Sequence, residues 1–276
     1  MITHNRSKIP AEVSSPEELE TLMPSSSNTQ GSMNPANTKL FNIILLLSHS
    51  IGSIIILLII LWVNKHLGGF DWSIPAKEFN YHPLFMVLGM VYLYGNSIIS
   101  YRIFRTLDKP KLKIIHTILH GGCLIFTALG LFAVIDFHNR ANIVNFYSLH
   151  SWVGIFAASV YALQWIGSFY AFLFPGIPAQ YRAFLLPFHV RGGLIIFTIS
   201  IAACLTGLTE KIFFSVGKEN YSSLPPSALY ANFIGVLIVL FAIIIGYLVT
   251  ESNFARKPLP SEGKTSNLSM DSQRPE

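Results

Sequence analysis

Six apolar segments dominate this sequence of 276 residues, and each is long enough to cross a lipid bilayer. A membrane-spanning α-helix needs about 20 mostly apolar residues, because the hydrocarbon core is about 30 Å thick and the helix rises about 1.5 Å per residue. Backbone polar groups in lipid must be satisfied within the spanning segment, so the pattern predicts an all-α membrane protein with six transmembrane helices. The predicted spans are residues 41–63, 80–104, 112–135, 147–174, 187–212 and 227–250.

Composition narrows the class of protein further. Charged residues make up 12% of the chain, about half of the roughly 25% found in soluble domains. The net charge of +5 is small and is explained by charged loops, so we expect the lipid bilayer as a partner and no nucleic acid. The two cysteines, Cys123 and Cys204, both lie in apolar segments, which argues against a disulfide framework and against a thiolate metal site.

The polar ends of the chain read as tails around a membrane domain. Residues 1–40 and 251–276 are predicted to be disordered, and residues 41–250 to form the transmembrane domain. Lysine and arginine are concentrated in the tails and in the connections on the same side of the membrane. Because cytoplasmic loops carry an excess of these residues, both termini are predicted to be cytosolic.

Five of the nine histidines lie one or two helical turns inside a predicted span. His82 and His150 lie at matching depth near the non-cytosolic ends of the second and fourth spans. His116 and His120 lie near the cytosolic end of the third span, and His189 lies near that of the fifth. Two pairs between helices are therefore predicted, His82 with His150 and either His116 or His120 with His189, at levels roughly 15–20 Å apart.

Paired histidines inside a helical bundle allow several interpretations. The rings can form hydrogen bonds between helices, as polar residues do in membranes. They can also bind transition metals directly in a non-redox transporter or scaffold, although no carboxylate or thiolate joins either pair to favour zinc. A haem needs two axial nitrogens and an apolar slot, and filling both axial positions favours electron transfer over oxygen binding.

Several motifs resemble those of the cytochrome b561 family, and they occur in the family's order. They are FNYHP at 79–83, SYRIFR at 100–105, KLKIIH at 111–116, YSLHSW at 147–152, RAFLLPFHV at 182–190 and GLTEKIFF at 207–214, with weaker likeness at 223–237. The resemblance implies six helices whose central four-helix bundle holds two b-type haems per chain. Within the family, the chain is most similar to the duodenal and lysosomal ferric-reductase members.

The resemblance also implies roles for individual residues. His82 and His150 would ligate the non-cytosolic haem, and His116 and His189 the cytosolic one, which leaves His120 as a neighbour. On the cytosolic side Arg102 and Lys109 would contact haem, and ascorbate would be bound by Lys109, Lys113 and Arg182. Arg and Lys suit both ligands, since ascorbate and haem propionates are anions at neutral pH.

On the non-cytosolic side, the family pattern marks haem contacts and one candidate for metal. The expected haem contacts are Asn145, Phe146, Tyr147, Ser148 and Glu210. His138, read as an exposed loop histidine in DFHNR, matches the position at which ferric-reductase members meet metal on the outer surface. One departure follows the last span, where Ala255 replaces a lysine of the family and Arg256 and Lys257 are the candidate substitutes for it.

The implied activity is transmembrane electron transfer from cytosolic ascorbate through two haems to a ferric chelate. An alternative is the same shuttle serving to reduce monodehydroascorbate and so regenerate luminal ascorbate. Family resemblance further implies a homodimer in the plasma membrane, in late endosomes or lysosomes, or in another vesicle membrane.

Overall fold

The computed structural model describes residues 33–173 and 177–262, and within these residues the chain is helical with no strand. Six helices are long and apolar enough to cross a membrane, as predicted. They are α1 (Pro35–His66), α2 (Pro75–Ile103), α3 (Lys109–Arg140), α4 (Leu149–Leu173), α5 (Ala179–Val216) and α6 (Pro226–Thr250). Residues Met33–Arg256 form one compact unit, and the described residues from Lys257 to Glu262 belong to a second unit.

The folded unit extends beyond residues 41–250 at both ends. Helix α1 begins at Pro35, because the Asn34 side chain accepts the Ala36 N–H at 2.9 Å and proline suits the first helical position. After α6, Phe254 is buried against Phe41 with ring centroids 5.4 Å apart. Local capping and packing therefore extend the folded unit beyond the limits set by hydropathy. The remaining parts of the predicted tails, residues 1–32 and 263–276, lie outside the described residues.

The four central helices form the predicted bundle. Helix α2 packs against α3, α4 packs against α5, and further contacts join α3 to α4 and α5 to α2. Helices α1 and α6 pack together on one side, where α6 also contacts α2 and α5. The fully buried Trp62 of α1 donates its indole N–H to Ser227 Oγ of α6 at 2.8 Å, so the outer pair is joined by a specific hydrogen bond.

Helix α2 contains a wider turn that apolar periodicity did not reveal. Residues Val87–Leu93 are wound as a π-helix, which adds a residue to the turn and changes the faces presented by the two flanking α-helical halves. Gly89 lies in this turn, and a Cβ there would be 3.1 Å from the Cys123 carbonyl oxygen of α3. The Cys123 thiol in turn donates to the Gly89 carbonyl oxygen at 2.7 Å, so the wide turn is held against α3.

Candidate functional site

The first histidine pair joins the starts of two helices. His82 lies near the start of α2 and His150 in the first turn of α4, and their ring centroids are 6.0 Å apart. Ser148 and Ser151 form a capping box that begins α4 and so places His150 on the inward face. An imidazole nitrogen lies about 2 Å from a metal that it binds, so two rings ligating one metal from opposite sides have centroids roughly 6 Å apart.

The second pair lies at the other end of the bundle. His116 of α3 and His189 of α5 have ring centroids 6.0 Å apart, the same separation as in the first pair. His120 is packed edge-on against His116 at 4.5 Å, and its Nδ1 lies 2.9 Å from the Tyr161 hydroxyl. The structure therefore brings His189 to His116 and directs the Nδ1 edge of His120 towards α4.

All four paired rings have Nδ1 within hydrogen-bond distance of an oxygen atom on a neighbouring helix. The contacts are His82 with Gly130 O at 3.0 Å, His150 with Ala203 O at 2.9 Å, His116 with Ser97 O at 2.9 Å, and His189 with Ser168 Oγ at 2.9 Å. A carbonyl oxygen only accepts, so at least three of these rings carry their proton on Nδ1. The opposite nitrogen, Nε2, then has its lone pair available for a metal, which is the usual arrangement of histidine ligands.

These contacts are reciprocal within each helix pair. Helix α2 contributes His82 to one level and the Ser97 carbonyl to the other, while α3 contributes the Gly130 carbonyl and His116. Helices α4 and α5 exchange contacts in the same way. Residues His82 and Ser97 are separated by roughly 20 Å along α2, so the two levels lie towards opposite ends of the bundle.

A cavity surrounds each pair. The outer cavity, at the His82–His150 level, has a volume of about 150 Å³, and the inner cavity, at the His116–His189 level, a volume of about 450 Å³. Apolar side chains form most of both walls. All six residues predicted for the outer side line the outer cavity, namely His138, Asn145, Phe146, Tyr147, Ser148 and Glu210.

Two comparisons with known proteins place the chain in a family. Residues 81–215 match the eukaryotic cytochrome b561 family. The chain is 40% identical to the lysosomal membrane ascorbate-dependent ferrireductase of Danio rerio, over 84% of this chain and 97% of that protein. It is also 40% identical to the human protein of that name, over 76% and 89%, and 38% identical to the transmembrane ascorbate-dependent reductase of Mus musculus, over 76% and 82%. The chain belongs to the cytochrome b561 family.

Membership in the cytochrome b561 family implies haem b, and the residues present fit such a group. The paired rings have the separation of two axial ligands, and their Nδ1 atoms are already engaged. Gly207 also fits the role of His150 as a ligand, because it leaves room for the ring: a Cβ there would be 2.6 Å from Cε1 of His150. Only glycine therefore leaves the His150 ring in its observed position.

The predicted position of His138 needs a correction within this cytochrome b561 fold. His138 lies in the last turns of α3 and is half-buried, whereas the sequence indicated an exposed loop. Its Nδ1 lies 3.2 Å from Asn145 Oδ1, and both residues line the outer cavity. The helix continues beyond the apolar segment because its final polar residues still cap and pack, so hydropathy underestimated its length.

The carboxylate of Glu210, on α5, lines the outer cavity. Ser148 Oγ donates to Glu210 Oε2 at 3.1 Å, which joins the start of α4 to α5. Partial burial raises the pKa of the Tyr147 hydroxyl, and the nearby Glu210 carboxylate raises it further. The hydroxyl groups of Tyr147 and Ser148 therefore remain protonated donors beside the carboxylate.

The predicted cytosolic cations do not all reach the inner cavity of this cytochrome b561. In the part of the chain that the structure describes, its walls include Arg102 and Lys113 but not Lys109 or Arg182. Lys113 Nζ donates to the Phe172 carbonyl oxygen at 3.0 Å. Lys109 is exposed at the start of α3, and Arg182, in the first turn of α5, donates to the Ile177 carbonyl oxygen at 2.6 Å.

Arg102 has a structural partner that sequence patterns did not indicate. Its guanidinium donates to the carbonyl oxygens of Val249 and Glu251 at the end of α6. Helix ends leave such carbonyls without intrahelical partners, and the helix dipole favours a cation there. Of the predicted substitutes for the family lysine at Ala255, Arg256 donates to the Leu107 carbonyl oxygen at 2.9 Å, and Lys257 belongs to the second unit.

Sequence reasoning missed several residues that shape the site. Ser168, Tyr161 and Gly207 contact the histidines directly, and Lys211 lines the outer cavity. The backbone acceptors Gly130 and Ala203 carry no residue-type signal at all. Lys211 did carry one, since a lysine inside an apolar span calls for a partner.

Proposed function

We propose that this chain is a membrane oxidoreductase that carries electrons from ascorbate on the cytosolic face to a ferric chelate on the opposite face. The observation that carries the proposal is the presence of two histidine pairs with the same 6.0 Å ring separation at two levels of one bundle. One haem b would be held at each level, two per chain. When bound, haem supplies reversible one-electron chemistry at iron.

The four histidines are the proposed axial ligands. His82 and His150 hold the outer group, and His116 and His189 hold the inner one. The Nδ1 contacts orient all four rings, and those to carbonyl oxygens also fix the tautomer of His82, His150 and His116, which raises the basicity of the opposite nitrogen. With two histidines holding each group, no coordination site at the iron would remain open for oxygen.

Positively charged side chains on the cytosolic face of the proposed enzyme bind ascorbate. Arg102 and Lys113 line the inner cavity, and Lys109 and Arg182 lie on the same side of the membrane under the proposed topology. Cationic side chains attract the ascorbate anion and steer it towards the inner cavity. The same asymmetry of Lys and Arg supports cytosolic termini.

The outer face delivers electrons to the acceptor. His138, Asn145 and Glu210 place imidazole, amide and carboxylate groups around the outer cavity, and these groups suit a ferric chelate. Two relatives at 40% identity are named lysosomal membrane ferrireductases, which supports ferric iron as acceptor and a lysosomal membrane as location. Reduction of monodehydroascorbate remains the second candidate, since it uses the same shuttle.

An optical titration of the detergent-purified protein tests the proposal. We expect two haems per chain that are largely reduced by ascorbate. The His150→Ala variant should lose the outer haem and keep an inner haem that ascorbate still reduces. His49→Ala is the control, because His49 lies in α1 and contacts Tyr92 at 3.4 Å rather than either pair. A colourless protein, or haem that ascorbate leaves oxidised, would contradict the proposal.

A further inference from the structure

Lys211 of α5 places an ammonium group in the wall of the outer cavity. Its Nζ lies 4.1 Å from the centroid of the Phe79 ring. Among the described residues, the ion pairs within 4.0 Å are formed by Lys111 and Arg140, and none by Lys211. The protein partner of this ammonium is therefore the face of an aromatic ring, not a carboxylate.

The neighbouring Glu210 does not neutralise Lys211 directly. Consecutive residues of an α-helix point about 100° apart, so the two side chains reach different walls of the cavity. Glu210 Oε2 accepts from Ser148 Oγ at the start of α4, whereas Lys211 lies over Phe79 near the start of α2. The carboxylate is thus engaged on one side, and the ammonium faces the cavity on the other.

An ammonium in a mostly apolar cavity needs an anion. Removing it from water costs free energy that a cation–π contact offsets only in part. The Phe79 ring is also 5.9 Å from the ring of His82, so Lys211 is one aromatic ring away from the outer histidine pair. A negative group that enters this cavity beside the pair would find its counter-charge at Lys211.

We propose that Lys211 binds a carboxylate in the outer cavity. Two sources share this chemistry, a propionate of the haem held by His82 and His150 and a carboxylate of an anionic ferric chelate. The inference rests on the proposed function and deepens it, because the second source makes carboxylate chelates of ferric iron the preferred acceptors.

The test compares three purified, haem-loaded variants with the wild type. Lys211→Met removes the charge and keeps the length, and Lys211→Arg restores the charge. Lys218→Met is the matched control, because Lys218 is an exposed lysine in the loop just after α5. If Lys211→Met does not assemble with haem, Lys211→Gln takes its place with the same measurements.

Two measurements separate the sources of the carboxylate. If the partner is a propionate, Lys211→Met shifts the propionate bending band in the resonance Raman spectrum and lowers the midpoint potential of the outer haem. If the partner is the acceptor, its KM for ferric citrate rises about tenfold, while KM for cationic hexaammineruthenium(III) does not rise. Lys211→Arg should restore the wild-type values in either case. No change in either measurement, or equal changes in Lys218→Met, would overturn the proposal.

The outcome is distinguishable from failure of the proposed function. If the wild-type protein passes electrons from ascorbate to neither acceptor, the proposed function fails. The resonance Raman measurement still tests the role of Lys211 when the protein does not turn over, because it requires only bound haem.

Discussion

Gly207 of α5 lies so close to His150 that a Cβ on residue 207 would be 2.6 Å from Cε1 of the imidazole ring. The ring cannot simply rotate away, because its Nδ1 is hydrogen-bonded to the Ala203 carbonyl oxygen at 2.9 Å. We therefore expect Gly207→Ala to displace His150 and to weaken binding of the outer haem. Haem per chain and the optical spectrum should show a loss confined to one of the two haems.

Gly167→Ala is the matched control for this substitution. Gly167 lies in α4, and a Cβ there meets nothing within 4 Å. Alanine favours a helix by up to about 1 kcal/mol over glycine, so this variant should keep both haems and at least the wild-type stability. Retention of both haems by Gly207→Ala would show that His150 has more freedom than its contacts indicate.

The Nδ1 partner of His189 is the side chain of Ser168, which a substitution can remove. Its Oγ lies 2.9 Å from His189 Nδ1, whereas the other three rings contact backbone carbonyls. Loss of such a contact typically lowers metal affinity about 10–100-fold. We expect Ser168→Ala to weaken the inner haem selectively, as measured by haem retention during dilution and by redox titration.

Ser100→Ala provides the comparison at the same level. Ser100 Oγ lies 3.3 Å from His116 Nδ1, but the Ser97 carbonyl lies closer, at 2.9 Å, and survives the substitution. The variant should therefore bind haem like the wild type. Equal losses in the two variants would mean that the serine hydroxyls act through packing and not through Nδ1.

The sequence predicted how far along its helix each histidine lies better than it predicted the direction in which each ring points around the helix axis. A helix of known rise fixes depth, so the pairing of His82 with His150 followed from the span boundaries. Rotation depends on local winding, and the π-helical turn at Val87–Leu93 has no signature in the apolar pattern. His116 and His120 are four residues apart and share a face of α3, so spacing left both as candidates, whereas the structure places the ring of His116 6.0 Å from that of His189.

The cations show a second limit of the sequence. The positive-inside rule predicts on which side of the membrane a lysine or arginine lies, not which atoms it contacts. Lys113 and Arg102 reach the inner cavity, but both also donate to backbone carbonyls. Because backbone acceptors carry no residue-type signal, these contacts became visible only in three dimensions.

Arg102 should contribute to stability independently of any ligand. Its guanidinium joins α2 to the end of α6 through the carbonyl oxygens of Val249 and Glu251. Hydrogen bonds from charged groups are worth about 1.5–3 kcal/mol each when they replace water, so Arg102→Met should lower the Tm of the protein in detergent. Lys111→Met is the control, since the Lys111–Asp108 pair is exposed and such pairs contribute little. An unchanged Tm for Arg102→Met would leave ligand binding as the role of this residue.

Tyr161 ties His120 of α3 to α4 through two hydrogen bonds. The hydroxyl donates to the His120 carbonyl oxygen at 2.8 Å and lies 2.9 Å from His120 Nδ1. In Tyr161→Phe both groups lose a partner in a buried site, which costs about 1–3 kcal/mol for each unsatisfied group. Because the His120 ring is packed edge-on against His116 at 4.5 Å, its release should also shift the midpoint potential of the inner haem and leave the outer one unchanged.

Redox titration measures both potentials, and Tyr170→Phe, at an exposed position of α4, should change neither. Equal shifts at the two haems in Tyr161→Phe would show that Tyr161 acts on the whole bundle and not through His120.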